Sequence, residues 1–394
     1  MLLCISLNII LNRTAIMEVF NSSQLLPQNL VIVSAETYLY RIGLSLTTKS
    51  YVKRPKLNHP LLVFIVTVIS IIKIAISLFF SENNKYYFII VGDFGYFFGV
   101  RFHFNISAIL YMLLALSSQL IYYYNYKNDI KPNFLKIFEM ISGFVSPKSI
   151  GLSNEKEILH LLKVSKFLFI ITKFISQNVI PIAAFMINII PILLQCSTSE
   201  TLIFGLPNSL LFSLCCYYVF SINVWQVLYF YIICLYFKIK LKDIYNKVFA
   251  TLRNGRYIIQ IIRSLNSIYL EIHENNSIYW SKYFLTIWFL YVSMIITNMS
   301  GVLFSETTII LKLMISYTLL QFIIIFIIVI NTASSVNFEA NKIYLLLNRL
   351  MVYQNKSKSK SFKNSLISYM KVNIFFYSNV FILKILNNFF CIKS

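Results

Sequence analysis

Side chains capable of covalent or proton-transfer chemistry are few in this chain of 394 residues, which has only four histidines and three aspartates. His59, His103, His160 and His273 stand far apart, as do Asp93, Asp129 and Asp243. No His-Glu-x-x-His helix, no Gly-x-Ser-x-Gly elbow and no pair of acids within an apolar run occurs, so hydrolysis by a metal or a nucleophile has no framework. The cysteines, Cys4, Cys196, Cys215, Cys216, Cys234 and Cys391, include no Cys-x-x-Cys pair. Their apolar surroundings fit small buried hydrophobes better than zinc ligands or disulfides. With 9 glycines, there is also little material for loops that cradle phosphates. The expectation is a protein that is not an enzyme and that needs neither cofactor nor metal.

The remaining chemistry is recognition by hydroxyl, amide and aromatic groups. Asn105, Ser107, Tyr111, Asn188, Tyr217, Tyr218 and Tyr317 lie inside long apolar runs. A pocket between helices would use such groups to hold a small, mostly apolar organic molecule, and these seven are the candidate ligand-binding residues. Hydrogen bonding between packed helices is the competing role for each of them.

These residues must be positioned by elements suited to lipid. Apolar residues make up 58% of the chain and charged residues 12%, with a mean hydropathy of +0.71. That is too little charge to coat a water-soluble globule of this size. A helix of about 20 apolar residues crosses a bilayer core, and six segments qualify: 61–80, 103–124, 167–195, 208–236, 278–299 and 308–330. Pro181 and Pro191 are expected to kink the third. The stretch 372–391 is a weaker seventh candidate, broken by Lys384, Asn387 and Asn388.

The net charge of +21 sorts by loop. Of the 35 basic residues, 29 fall in residues before the first span, between the second and third, between the fourth and fifth, and after the sixth. The alternate loops carry only Lys85 and Arg101. Short basic loops stay on the cytoplasmic side, so the N-terminus is expected inside, opposite to a G-protein-coupled receptor. The basic excess thus reflects topology and does not call for a nucleic-acid partner. Lys73, Lys173, Lys282 and Lys312 fall within spans, where snorkelling to the headgroups is the commonest role.

The inner loops carry helical patterns of their own. Residues 132–166 place apolar groups at helical spacing around a break at Gly143, Pro147 and Gly151, with Asn154-Glu-Lys-Glu157 as an N-cap signal. Residues 241–276 repeat the pattern. Both read as extensions of the flanking spans that pack on one another. A basic helix for calmodulin or lipid is the rival reading of the second. Carboxylates at mid-span and repeated halves, the marks of ion-coupled carriers, are missing.

The sixth span ends in Ile330-Asn-Thr-Ala-Ser-Ser-Val-Asn-Phe-Glu-Ala-Asn-Lys-Ile-Tyr-Leu-Leu-Leu-Asn-Arg-Leu350, followed by a polar stretch and then 366–384. This resembles the C-terminal region of insect gustatory and odorant receptors: a small-residue exit, a Glu-Ala pair, a Leu-rich helix and a Phe-containing segment. The resemblance at residue level covers about 50 positions. It implies a ligand-gated cation channel subunit that assembles as a homo- or hetero-tetramer with related subunits, the pore lined by a seventh helix. The family's Thr-Tyr, five apolar residues, Gln-Phe signature does not occur; Ser316-Tyr-Thr-Leu-Leu-Gln-Phe322 has another spacing and belongs to the sixth span. The expectation is therefore a truncated gene model or a divergent member, and no pore residue is carried over.

The sequence thus leads to an all-α polytopic transmembrane helix bundle in the plasma membrane, with six clear spans and a weak seventh. A cytoplasmic segment covers 1–60, the bundle 61–331, and a cytoplasmic helix with an incomplete seventh-span region 332–394. Its expected function is to sense a small organic ligand. The alternatives are a transporter or lipid carrier, and a non-conducting subunit or scaffold that partners a full-length receptor.

Overall fold

The computed structural model describes residues 59–79, 101–127, 134–141, 144–152, 154–182, 184–185, 199–251, 258–275, 281–304 and 309–354. Every regular element among them is helical: α1 (His59–Leu78), α2 (Arg101–Lys127), α3 (Phe134–Ile141), a 3₁₀ turn (Pro147–Ile150), α4 (Glu155–Phe174), a π-helical turn (Ile175–Val179), α5 (Ser199–Thr251), α6 (Ile258–Asn275), α7 (Ser281–Phe304) and α8 (Ile309–Gln354). Two compact units result. One comprises Met1–Ile233 with Leu285–Asn331, the other Cys234–Phe284 with Thr332–Ser394, so α5 and α8 contribute to both.

Among the described residues, four helices contain stretches long and apolar enough to cross a membrane, Leu61–Leu78, Arg101–Ile121, Gly205–Phe249 and Ile323–Leu347, and Phe289–Phe304 is a shorter apolar stretch. The expected third and fifth spans fall partly outside the described residues, at 186–195 and 278–280. So does the weak seventh candidate.

α1 shows what its solvent is. Leu61, Ile65, Ile69, Ile72 and Ile76, spaced four, four, three and four apart, form an exposed stripe. The buried side holds Val63, Val66 and Ile74, but also Thr67, Ser70 and Ser77. A water-soluble helix is patterned the other way, with aliphatic groups inward. Hydroxyls inward and isoleucines outward suit a helix facing hydrocarbon, where packing and hydrogen bonds drive association.

Local chemistry sets the helix boundaries. Asn154 caps α4, its side chain accepting from Lys156 N–H at 3.2 Å, and Glu155 and Glu157 sit in the first turn, as the N-cap signal predicts. Ser146 likewise caps the 3₁₀ turn, which Gly151 closes in the left-handed conformation at φ 82°. The expected kink before Pro181 takes the form of a π turn: Ile180 N–H bonds Ile175 O, five residues back. Pro181 has no N–H to offer Gln177 and its ring crowds that carbonyl, and the wider turn just upstream accommodates both.

The expected outer loop 196–207 is shorter than predicted, because α5 starts at Ser199 and carries Pro207 within it. α5 then continues past the predicted span end at Tyr236 to Thr251. Its 53 residues correspond to a length of about 80 Å, far beyond a bilayer core of ~30 Å. α8 similarly runs through the expected span end at Ile330, and the small residues Thr332 to Ser335 remain helical.

In the second unit α6 packs as a water-facing helix does, burying Ile261, Leu265 and Ile268 at four- and three-residue spacing. Ile261, Leu265 and Ile268 are covered within the chain, while Leu270 stays exposed. A clasp joins α6 to α5. Glu271 accepts from Tyr236 Oη at 3.0 Å through one carboxylate oxygen and from Lys240 Nζ at 2.7 Å through the other, while Lys240 lies over the Tyr236 ring, 4.5 Å from its centre. Lys240 is buried and Glu271 half-buried, so removing the carboxylate strands an ammonium. Glu271→Ala is expected to destabilise the protein by about 2–3 kcal/mol, somewhat less than the ~3–5 kcal/mol for a fully buried pair. The pairing of Lys240→Met with Glu271→Gln should recover most of the loss, read as thermal unfolding of purified protein in neutral-lipid nanodiscs.

Candidate functional site

α5 is the axis of the first unit. Its low amphipathicity reflects neighbours on several sides, with Phe212, Cys215, Val219, Ile222, Trp225 and Leu228 all buried. Each neighbour meets it through polar or aromatic groups. From α1, Lys73 Nζ donates to Asn208 Oδ1 at 2.8 Å, and Thr67 and Ser70 lie within hydrogen-bonding reach of Cys215. From the π turn, Ser176 Oγ donates to Ser221 Oγ at 2.6 Å, and two turns earlier in the approach Phe169 meets Trp225 edge-on at 6.2 Å. Ser213 Oγ donates to the Ala184 carbonyl at 3.3 Å. From α2, Phe104 meets Phe212 and Tyr111 meets Phe220, the latter at 4.8 Å between ring centres.

Tyr111 is the predicted residue around which most gathers. Its phenol lies in the interior beside Asn223 of α5, with Tyr291 of α7 and Cys216 of α5 close by. Asn223 is 3% exposed and donates to its own helix at Val219 O, 3.0 Å, leaving its Oδ1 buried without a hydrogen-bond partner. Tyr291 is buried too, and packs with Leu114, Leu290 and Met294, flanked by Leu110 and by Ile325 of α8. Three helices thus bring two phenols, an amide and a thiol into one apolar setting.

The other predicted residues divide. Asn105 is buried and donates to Ser77 Oγ at 3.3 Å, tying α2 to α1. Ser107 donates to Asn298 Oδ1 at 3.3 Å, tying α2 to α7 near the point where Gly301 abuts His103; a Cβ there would lie 3.4 Å from that side chain. Both hydrogen bonds are of the helix-packing kind. Tyr217 and Tyr218 are ring neighbours at 5.0 Å, with Tyr218 buried and Tyr217 half-buried. Asn188 lies outside the described residues, and of Tyr317 only the backbone, within α8, is described.

Sequence reasoning missed Asn223, Tyr291, Asn298 and the Lys73–Asn208 pair. The signal for Asn223 was available: it is an amide inside the fourth predicted span. Lys73 donates its ammonium to an amide on α5, that of Asn208, the first residue of the fourth predicted span. The four lysines had been treated alike, and only the opposite helix distinguishes this one.

Chemically the first unit offers hydroxyl, amide, thiol and aromatic groups. Helices α1, α2 and α7, and α5 from Thr201 to Lys242, contain no Asp or Glu. Among the described residues no three His, Cys, Asp or Glu side chains gather as a metal site. Such an interior can bind and orient a ligand. It holds no carboxylate on those segments to shuttle a proton. These features define a multi-span α-helical membrane protein. No family model, no curated protein and no solved structure matches the chain.

The hydroxyl pair at the π turn gives a direct test of how the interior is held. Ser176→Ala and Ser221→Ala should each weaken the fold modestly. Their double-mutant cycle should return a coupling of about 0.6 kcal/mol, the average for hydrogen bonds between membrane helices, measured by unfolding in mixed micelles.

Proposed function

We propose that this protein is a chemosensory receptor subunit of the gustatory and odorant type, a plasma-membrane cation channel subunit gated by a small organic molecule, with its N-terminus in the cytoplasm. The observation that carries the reading is the group formed by the buried Asn223 and Tyr291 with the half-buried Tyr111, between three helices. A buried acceptor flanked by phenols, in an apolar setting, suits a small molecule with one hydrogen-bonding group. The resemblance at residues 330–350 supports the same reading, as does the distribution of basic loops. In this scheme ligand occupancy shifts a closed–open equilibrium by binding one state more tightly than the other.

The apolar face of α8, exposed at Leu320, Ile323, Ile324, Ile327 and Ile328, is open to lipid or to a related subunit. A non-conducting partner subunit is the second reading, since that face would serve either role.

Expression in oocytes, alone and with a full-length relative, tests the proposal against a panel of volatile and sapid organics. Ligand-evoked cation current is expected. Tyr111→Ala or Asn223→Leu should raise the half-maximal ligand concentration by about tenfold, the value of one lost buried hydrogen bond or ring contact of ~1.4 kcal/mol. Solute uptake without ligand-evoked current would instead favour a carrier. An epitope at the N-terminus should be reached by antibody only after permeabilisation, and labelling of intact cells would reverse the orientation.

A further inference from the structure

Of the eight prolines in the chain, Pro147 alone follows a serine or threonine. The pair Ser146-Pro147 falls in the break between α3 and α4, which the sequence marks by Gly143, Pro147 and Gly151. A hydroxyl followed by proline is what a proline-directed protein kinase recognises. The pyrrolidine nitrogen has no hydrogen, so it enters an apolar pocket where an amide N–H would go unpaired.

The local geometry suits that use. Proline holds the preceding residue in the extended region, and Ser146 sits there at φ −73° and ψ 142°. Ser146, Lys148 and Ser149 are exposed, and the 3₁₀ turn Pro147–Ile150 buries none of its own side chains. The bonds that hold Ser146 are local: Ser149 N–H donates to Ser146 O at 3.1 Å and to Ser146 Oγ at 3.3 Å, and Ser149 Oγ donates to Ser146 O at 2.7 Å. Exposed bonds of this span open at little cost, which lets a second protein take hold of the segment. The turn also precedes α4, whose first twelve residues, about 18 Å of helix, come before the third predicted span at 167. That leaves the serine outside the predicted hydrocarbon segment.

We infer that Ser146 is a phosphorylation site for a proline-directed kinase. Its Oγ attacks the γ-phosphorus of ATP; the Oγ–P bond forms, the bond from that phosphorus to the β-phosphate oxygen breaks, and ADP leaves. The hydroxyl proton passes to the kinase's base. Residues 125–166 hold seven lysines and four acids, an excess of three positive charges. A phosphate adds about −1.5 to −2 charge, removing half of that excess or more. It thereby weakens the attraction of this loop to an anionic membrane surface. The inference rests on the receptor reading only for the cytoplasmic side of the loop.

For the test, full-length protein in phosphatidylcholine nanodiscs, open on both faces, is incubated with ATP and a mitogen-activated protein kinase, and phosphate is located by mass spectrometry. Modification of Ser146 is expected. Ser146→Ala should abolish it, and Pro147→Ala, which keeps the hydroxyl, should slow it about tenfold, the effect of one amide N–H left unpaired. Ser149→Ala should leave Ser146 a substrate. Matching thermal unfolding verifies that the variants are folded. Phosphate absent from Ser146, or confined to other serines, overturns the inference, as does a rate indifferent to Pro147→Ala. Phosphate at Ser146 is expected in expressing cells too, and its absence there after success in nanodiscs overturns the physiological site. The N-terminal epitope then separates the two failures: labelling of intact cells condemns the orientation, and protection of the epitope condemns the site alone.

Discussion

In hydrocarbon there is no water to satisfy a stray hydroxyl or amide, and the interior of a bundle is no more apolar than its surroundings. Burial of isoleucine then discriminates weakly between right and wrong neighbours. Paired polar side chains take over that task. Asn105 with Ser77 sets α2 against α1, Ser107 with Asn298 sets α2 against α7, and Ser176 with Ser221 sets the π turn against α5. Each bond is weak, but a shift by one residue along a helix would break it and leave two polar groups facing lipid. The arrangement of the first unit follows from these register points, with aromatic contacts such as Phe169 on Trp225 filling the spaces between them.

The second unit follows a different rule. α6 keeps its aliphatic residues inward, and the polar tie to α5 is ionic, between Lys240 and Glu271. Charged pairs of this kind are costly in lipid and ordinary near water. A single continuous helix, α5, therefore bears two polarity regimes: hydroxyls and amides up to about Gln226, then lysines from Lys238 onward. The change of side-chain chemistry along one backbone is the plainest sign of a change of solvent.

Much of this was legible in the sequence because it depends on composition over long windows. The helical class, the spans at α1, α2 and α5, and the Asn154 cap all follow from local patterns. What was not legible depended on partners far along the chain. Pro207 falls in the expected loop 196–207, yet α5 passes through it, since neighbouring helices can hold a segment that lacks one donor. A kink was expected at Pro181, but not that the π turn before it would set Ser176 against Ser221, 45 residues away. Within the candidate site, Tyr111 stood out as a phenol in an apolar run, whereas Tyr291 resembled any interfacial tyrosine until α7 was set against α2. Asn105 and Ser107 were equally visible, but their bonds to Ser77 and Asn298 were not.

The inverted face of α1 also bears on how the protein is made. Its hydroxyls bond back to their own helix, Thr67 to Val63 O at 2.8 Å and Ser77 to Ile74 O at 2.7 Å. α1 can therefore leave the translocon with the hydroxyls of Thr67 and Ser77 already bonded, long before its partner exists. α5 emerges more than 120 residues later, carrying Asn208 and Asn223, and has greater need of a partner already in place. In this sense α1 is a membrane-resident chaperone for α5, holding Lys73, Ser70 and Thr67 ready until the groups that match them arrive.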